Sequence, residues 1–147
     1  MIARKKKGGV SEDLVKQALQ EAAKDRLECW TQRVYDSYSA GGAHMQAQAG
    51  DFKYVYRGHY GVIEVKSTAQ DNRLPKKNFG DGQLARLNRL QMAGATAQVW
   101  VHHTKTDVWR HVPVDFLLSN FYECGTCWDL SKFEPSSVQE LAVKVFQ

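Results

Sequence analysis

The chain is 147 residues long, 43% hydrophobic and 24% charged, with a formal net charge of +4 at pH 7. These values fit one domain with its own core and exclude a disordered or fibrous chain, while the modest positive charge favours polyanionic partners. No apolar run approaches the ~18 residues of a membrane span, and residues 1–3 run into the basic residues 4–7 without an apolar signal region, so no membrane partner and a cytoplasmic location are expected.

Residues 1–10, with Arg4, Lys5, Lys6 and Lys7 before Gly8-Gly9, read as a basic flexible tail that serves contact with a polyanion or solubility. Residues 11–147 read as a single domain without internal repeat or linker. Ser11 can cap a helix with Glu12 and Asp13 in its first turn, and Leu14, Val15, Ala18, Leu19, Ala22 and Leu27 follow at helical spacing. Residues 30–38 suggest a strand, and 39–50 a loop opened by Ser39-Ala40-Gly41-Gly42. Next, "DFKYVYRGHYGVIEVKST" has the pattern of a hairpin, with Gly58-His59-Tyr60-Gly61 as its turn.

The polar residues 69–79 read as a loop, followed by a helix over 81–93 that stops near Gly94. Strand patterns then flank a turn at 104–107, and two short helices are expected over 114–121 and 136–145. The order α-β-β-β-α-β-β-α-α implies an α/β or α+β sheet covered by helices.

Within "YGVIEVKST" two charges stand near a core, where charges are usually paired or working. Residues two apart on a strand share a face, so Glu64 and Lys66 lie side by side while Ile63 and Val65 turn to the core. In a hairpin, Asp51 approaches them. Two carboxylates and an ammonium suit phosphodiester hydrolysis: Asp51 and Glu64 offer hard oxygen ligands to Mg²⁺, the carbonyl of Val65 can complete the set, and Lys66 can position or help deprotonate water, or stabilise charge on phosphate. An acid-x-Lys triplet on its own is also an ordinary surface ion pair.

"GDF" followed at hairpin distance by "EVK" resembles the core motif of the PD-(D/E)xK nucleases. "RLPKKNFGDGQ", residues 73–83, is similar to the loop of RecU-type Holliday junction resolvases, where a proline, a lysine, Asn-Phe and a helix-borne glutamine follow the catalytic strand. The resemblance covers about residues 51–103. It implies a restriction-endonuclease-like α/β core with a central mixed β-sheet flanked by helices. It also implies Mg²⁺ dependence with Mn²⁺ as substitute, and catalysis by Asp51, Glu64, Lys66 and Gln83. Metal would be held by Asp51, Glu64, the Val65 carbonyl and an acid of the first helix, with Glu12 chosen over Glu21 and Asp25. The expected activity is an endonuclease resolving Holliday junctions or other branched DNA in recombination and repair, acting as a homodimer in the cytoplasm of a bacterial or phage-infected cell. General, flap or duplex cleavage, or an inactive DNA-binding module of the same fold, are the alternatives. RecU-like proteins are longer and carry a stalk before the central sheet, where this chain has only the loop over 39–50. That departure bears on junction specificity and leaves the nuclease core intact.

Arg73, Lys76, Lys77, Asn78, Arg86 and Arg89 surround the expected site and, with the basic tail, are the DNA-binding candidates. Cys124 and Cys127 lack the further ligands of structural zinc and, with Cys29, read as reduced thiols. His102 and His103 alternate sides of a strand, His59 sits at the hairpin tip, and Trp100 and Trp109 read as core.

Overall fold

The computed structural model describes residues 7–34 and 49–147, and side chains from residue 9 onward. Arg4, Lys5, Lys6, the side chain of Lys7 and most of the loop expected at 39–50 lie outside the described residues. The elements in chain order are α1 (Lys7–Ala23), β1 (Cys29–Arg33), β2 (Phe52–Tyr56), β3 (His59–Thr68), β4 (Arg73–Pro75), a 3₁₀ turn (Lys76–Asn78), α2 (Gln83–Met92), β5 (Thr96–His103), β6 (Val108–Pro113), α3 (Val114–Ser119), β7 (Cys127–Asp129) and α4 (Val138–Val145).

Helix α1 begins at Lys7 rather than Ser11, so Gly8-Gly9 is helical and Glu12 and Asp13 fall beyond the first turn. Ser11 is buried and its hydroxyl is hydrogen-bonded to His102 Nδ1 at 2.8 Å, a tertiary contact in place of a cap. His102 Nε2 meets Asp107 Oδ1 at 2.7 Å and its ring stacks on Trp109 at 4.3 Å. The ends of α1 and of the β5–β6 hairpin are thereby tied together.

The hairpin turn is tighter than expected. Arg57 and Gly58 alone connect β2 to β3, both at positive φ (50° and 80°), the two-residue geometry whose twist matches the flanking strands. His59 is therefore the first residue of β3, exposed, with Nε2 2.6 Å from Thr96 Oγ1. Gly61 stands opposite Tyr54, and a β-carbon there would lie 2.1 Å from the tyrosine ring.

Five strands form a mixed sheet in the order β1-β2-β3-β5-β6, antiparallel throughout except for β3 beside β5. One face packs on α1 and α4 through a core that includes Leu19, Ile63, Val65, Trp100, Trp109 and Phe146. The other packs on α2 and α3 through a core that includes Val62, Leu87, Val99, Val101, Leu117 and Trp128. With both faces covered, β3 reads as a near-continuous apolar run interrupted by Glu64 and Lys66.

Residues 69–79, expected as a loop, contain β4 and the 3₁₀ turn. Strand β4 exists because it pairs with β7 far along the chain, Leu74 opposite Trp128, a pairing that local sequence does not announce. Helix α4 is capped by Ser137, whose Oγ accepts the Glu140 N–H. The three cysteines are free thiols. None of the described helices is long and apolar enough to cross a membrane.

Candidate active site

Asp51 is placed by the start of the hairpin. Gly50, at φ 83°, runs so close to β3 that a β-carbon would sit 3.0 Å from Val62 Cβ, and the Asp51 N–H donates to Ile63 O at 2.8 Å. The Asp51 carboxylate then accepts the Val65 N–H at 2.7 Å. On β3, Glu64 and Lys66 share the face of Val62, and their side chains form an ion pair at 3.1 Å. Only 5% of Glu64 and 9% of Lys66 is exposed, so this is a buried pair that needs further hydrogen bonds to be tolerable.

Helix α2 supplies one. Gln83 Oε1 accepts from Lys66 Nζ at 2.8 Å and from the Gly80 N–H at 2.9 Å, so the glutamine holds the ammonium and the loop before α2 at once. The Lys66 ammonium also lies 4.6 Å from the centre of the Phe79 ring, a cation–π contact. Asn78 Nδ2 donates to Ser67 O at 3.1 Å and fixes the 3₁₀ turn against the end of β3.

Asp51, Glu64, Val65, Lys66, Ser67, Asn78, Gln83 and Glu12 line one open cavity of about 400 Å³. The cavity is charged in a particular way. Burial, then repulsion from Glu64, pushes the Asp51 carboxyl up to about 8, against the opposing hydrogen bond from Val65. Burial likewise raises Glu64, opposed by Lys66. Two hard oxygen donors thus face each other in a site that disfavours their charge, an arrangement a divalent cation relieves.

Glu12 reaches the cavity, but its carboxylate pairs with Arg33 Nη2 at 2.7 Å, while Asp13 takes Arg33 Nη1 at 3.0 Å. Glu21 and Asp25 are exposed and do not line it. Among the described residues no group of three or more His, Cys, Asp or Glu side chains is gathered to hold a metal. A cation here would rest on Asp51 and Glu64, with backbone, water and phosphate oxygens for the remainder, a set that suits Mg²⁺.

Of the basic candidates, Lys76 sits with its ammonium 4.3 Å from the Phe121 ring centre, and Arg86 is half-buried, donating to Asp81 O at 3.4 Å. Arg73, Lys77 and Arg89 are exposed, Arg73 opposite Asp129 across the β4–β7 pair. Sequence reasoning missed Arg33, Ser67 and the role of the Phe79 ring. Phe79 stood within the quoted loop motif; Arg33 carried no local signal, because its partners lie on α1.

The fold and site together define a class: a restriction-endonuclease-like α/β core with an acid and lysine of the PD-(D/E)xK pattern on its central strand and a second acid just before the neighbouring strand β2. No protein-family model matches the chain. Its sequence is similar to Holliday junction resolvase RecU of Lactococcus lactis, 30% identical over 100 residues, which cover 68% of this chain and 46% of that protein. It is also similar to RecU of Streptococcus gordonii, 33% identical over 78 residues, 53% of this chain and 38% of that one. The chain thus spans less than half the length of these curated relatives. Among solved structures, Archaeoglobus fulgidus Hjc, a Holliday junction resolvase from an archaeal hyperthermophile, shares the fold with a TM-score of 0.57 at 23% identity, over 93% of this chain and 98% of that one. The likeness to RecU-type resolvases expected from residues 51–103 is therefore present over about two thirds of this chain, and the fold is the one it implied.

Proposed function

We propose that the protein is a Mg²⁺-dependent DNA endonuclease, with Mn²⁺ able to substitute, that cuts branched DNA and four-way junctions in particular. The observation that carries this reading is the convergence of Asp51, Glu64, Lys66 and Gln83 in one open cavity. A pure binding surface has no use for a buried and a half-buried carboxylate facing phosphate.

Asp51, Glu64 and the Val65 carbonyl hold the cation, with Glu12 available to it if Arg33 releases the pair. When bound, the cation supplies positive charge to the phosphate and acidifies water. Lys66, fixed between Glu64 and Gln83, keeps an ammonium at the cavity where it orients the attacking water or stabilises charge on the phosphate. Because Gln83 Oε1 is occupied by Lys66 and Gly80, its amide NH₂ is the group left to donate to phosphate or water. Lys76, Lys77, Arg86 and Arg89 track the backbone, with Arg73 and the basic residues 4–7 as further contacts. Two copies cut symmetrically placed strands as a homodimer, in the cytoplasm of a bacterial or phage-infected cell.

Labelled four-way junctions, flaps and linear duplexes, incubated with Mg²⁺, Mn²⁺ or no divalent cation at one salt concentration, test the proposal. Metal-dependent paired cuts near the branch are expected. Equal cleavage of junction and duplex would make it a general endonuclease, and binding without cleavage an inactive module of the same fold.

A further inference from the structure

We propose that a second cleft, across the 79–82 segment from the carboxylates, takes an unpaired nucleobase and so places the cut beside a branch. The inference rests on the nuclease reading and names what the substrate presents next to the scissile phosphate. The segment is a ridge between two cavities. Asn78 and Gln83 line the carboxylate side, whereas Phe79, Gly80, Asp81 and Gly82 line the other, a cleft of about 370 Å³. That volume lies at the lower end of the ~300–1,000 Å³ that takes small ligands.

Aromatic and aliphatic side chains make the walls: Phe79, Phe121, Tyr122, Leu84 and Leu118. Tyr122 is 92% exposed although its ring packs edge-on against Phe121 at 5.3 Å, so a large face of it is open to a planar partner. Phe79 ties the cleft to the catalytic centre, since the Lys66 ammonium lies over its ring. The ridge itself is low. Gly80 and Gly82 add no side chain, and at Gly82 a β-carbon would come within 2.8 Å of Arg86 Nη1. A strand whose phosphate sits at the carboxylates can cross this ridge and drop its neighbouring base into the cleft.

Charge selects the occupant. Lys76 lines the cleft with its ammonium over Phe121, and the exposed Lys77 follows it on the 3₁₀ turn, against the single lining carboxylate of Asp81. A polyanion that carries flat apolar rings matches both the walls and the rim. Extruding a base costs least where stacking or pairing is already weakened, as it is where helices meet, which makes the cleft selective for branch points over intact duplex.

The test uses 2-aminopurine, a base whose fluorescence reports stacking, at the branch of a four-way junction and at the matching position of a duplex, titrated without divalent cation. The wild-type protein is expected to change the fluorescence of the junction and not of the duplex. Tyr122→Ala, an exposed position that the fold tolerates, should abolish that change and weaken junction binding about five- to a hundredfold. Tyr122→Phe should behave as wild type. An abasic site at the branch should make wild type and Tyr122→Ala equal. Unaltered junction binding by Tyr122→Ala, or an undiminished difference on the abasic junction, would overturn the proposal. Loss of a dimer in sedimentation without any fluorescence change in the wild type would assign the cleft to a second copy instead. Separate cleavage assays with Mg²⁺ distinguish the two readings: a fluorescence response without cleavage of any DNA removes the nuclease and leaves the base site.

Discussion

Burial holds the Asp51 and Glu64 carboxyls above their ordinary range, with repulsion from Glu64 adding to the rise at Asp51, so they differ from surface acids in what their removal does. Asp51→Asn or Glu64→Gln should abolish Mg²⁺-dependent cleavage while DNA binding persists, and Asp51→Asn should not lower the melting temperature of the metal-free protein; cleavage near the wild-type rate by both variants would remove the proposed metal site. Lys66→Ala should depress turnover by about 10²–10⁴ and DNA affinity far less, since one cation among many phosphate contacts contributes little binding. Equal losses would make Lys66 a binding residue. A different residue governs acid sensitivity. His103 is fully buried, Nδ1–H donates to Gln70 O at 2.8 Å, and burial lowers its pKa. A base depressed in the folded state contributes stability that is complete above its unfolded pKa near 6.5 and is lost as pH falls below it. The melting temperature of wild type relative to His103→Asn should therefore fall between pH 7 and pH 5, and a pH-independent difference would exclude this origin. Taking the difference matters because Asp51 and Glu64, with raised pKa values, have the opposite sign: their contribution falls as pH rises.

At the scale of elements, the β2–β3 hairpin is the unit that builds the site. Gly61 lies beneath the Tyr54 ring, whose hydroxyl accepts from Gln98 Nε2 at 2.9 Å, so the ring is held and cannot swing aside freely. Gly61→Val should cost roughly 1–3 kcal/mol by overpacking, read as a shift in denaturation midpoint, and Gly61→Ala a smaller amount; a neutral Gly61→Val would mean that the ring moves at little cost. This hairpin was also the most legible part of the chain. Period-two alternation put Glu64 and Lys66 on one face, and the spacing back to Gly50-Asp51 brought the second carboxylate to them. The pattern could not locate the turn at Arg57-Gly58, because His59 and Tyr60 resemble turn residues as well as strand residues. Nor could it find β4 and β7, each three residues long and stable only against the other. The start of α1 was misjudged for a related reason: Ser11 has the chemistry of a cap, and His102, which takes its hydroxyl instead, lies 91 residues away. Arg33, which reaches across from β1 to Glu12 and Asp13, was invisible on the same grounds.

For the whole molecule, the proposed preference for branched DNA is a ratio and must be measured as one, because affinity for every DNA falls with salt when phosphate contacts dominate. Junction cleavage should exceed duplex cleavage at each salt concentration tested, with dimeric behaviour in sedimentation; equal rates and a monomer would favour a general endonuclease. The sheet order adds a consequence for how the active form arises. Asp51 and Glu64 meet through a two-residue turn, a contact local in the chain. The sheet that holds them is completed on the far side of β3 by β5, the strand parallel to it with Val99 beside Glu64, and such distant pairings are slow to form. Trp100 on β5 stands beside Val65 in that ladder and is fully buried, so in a variant with Trp30, Trp109 and Trp128 replaced by phenylalanine its fluorescence reports the docking step. Refolding followed by tryptophan emission and by recovery of cleavage should therefore give one common rate, with cleavage competence arriving when the parallel ladder closes and not when the hairpin forms.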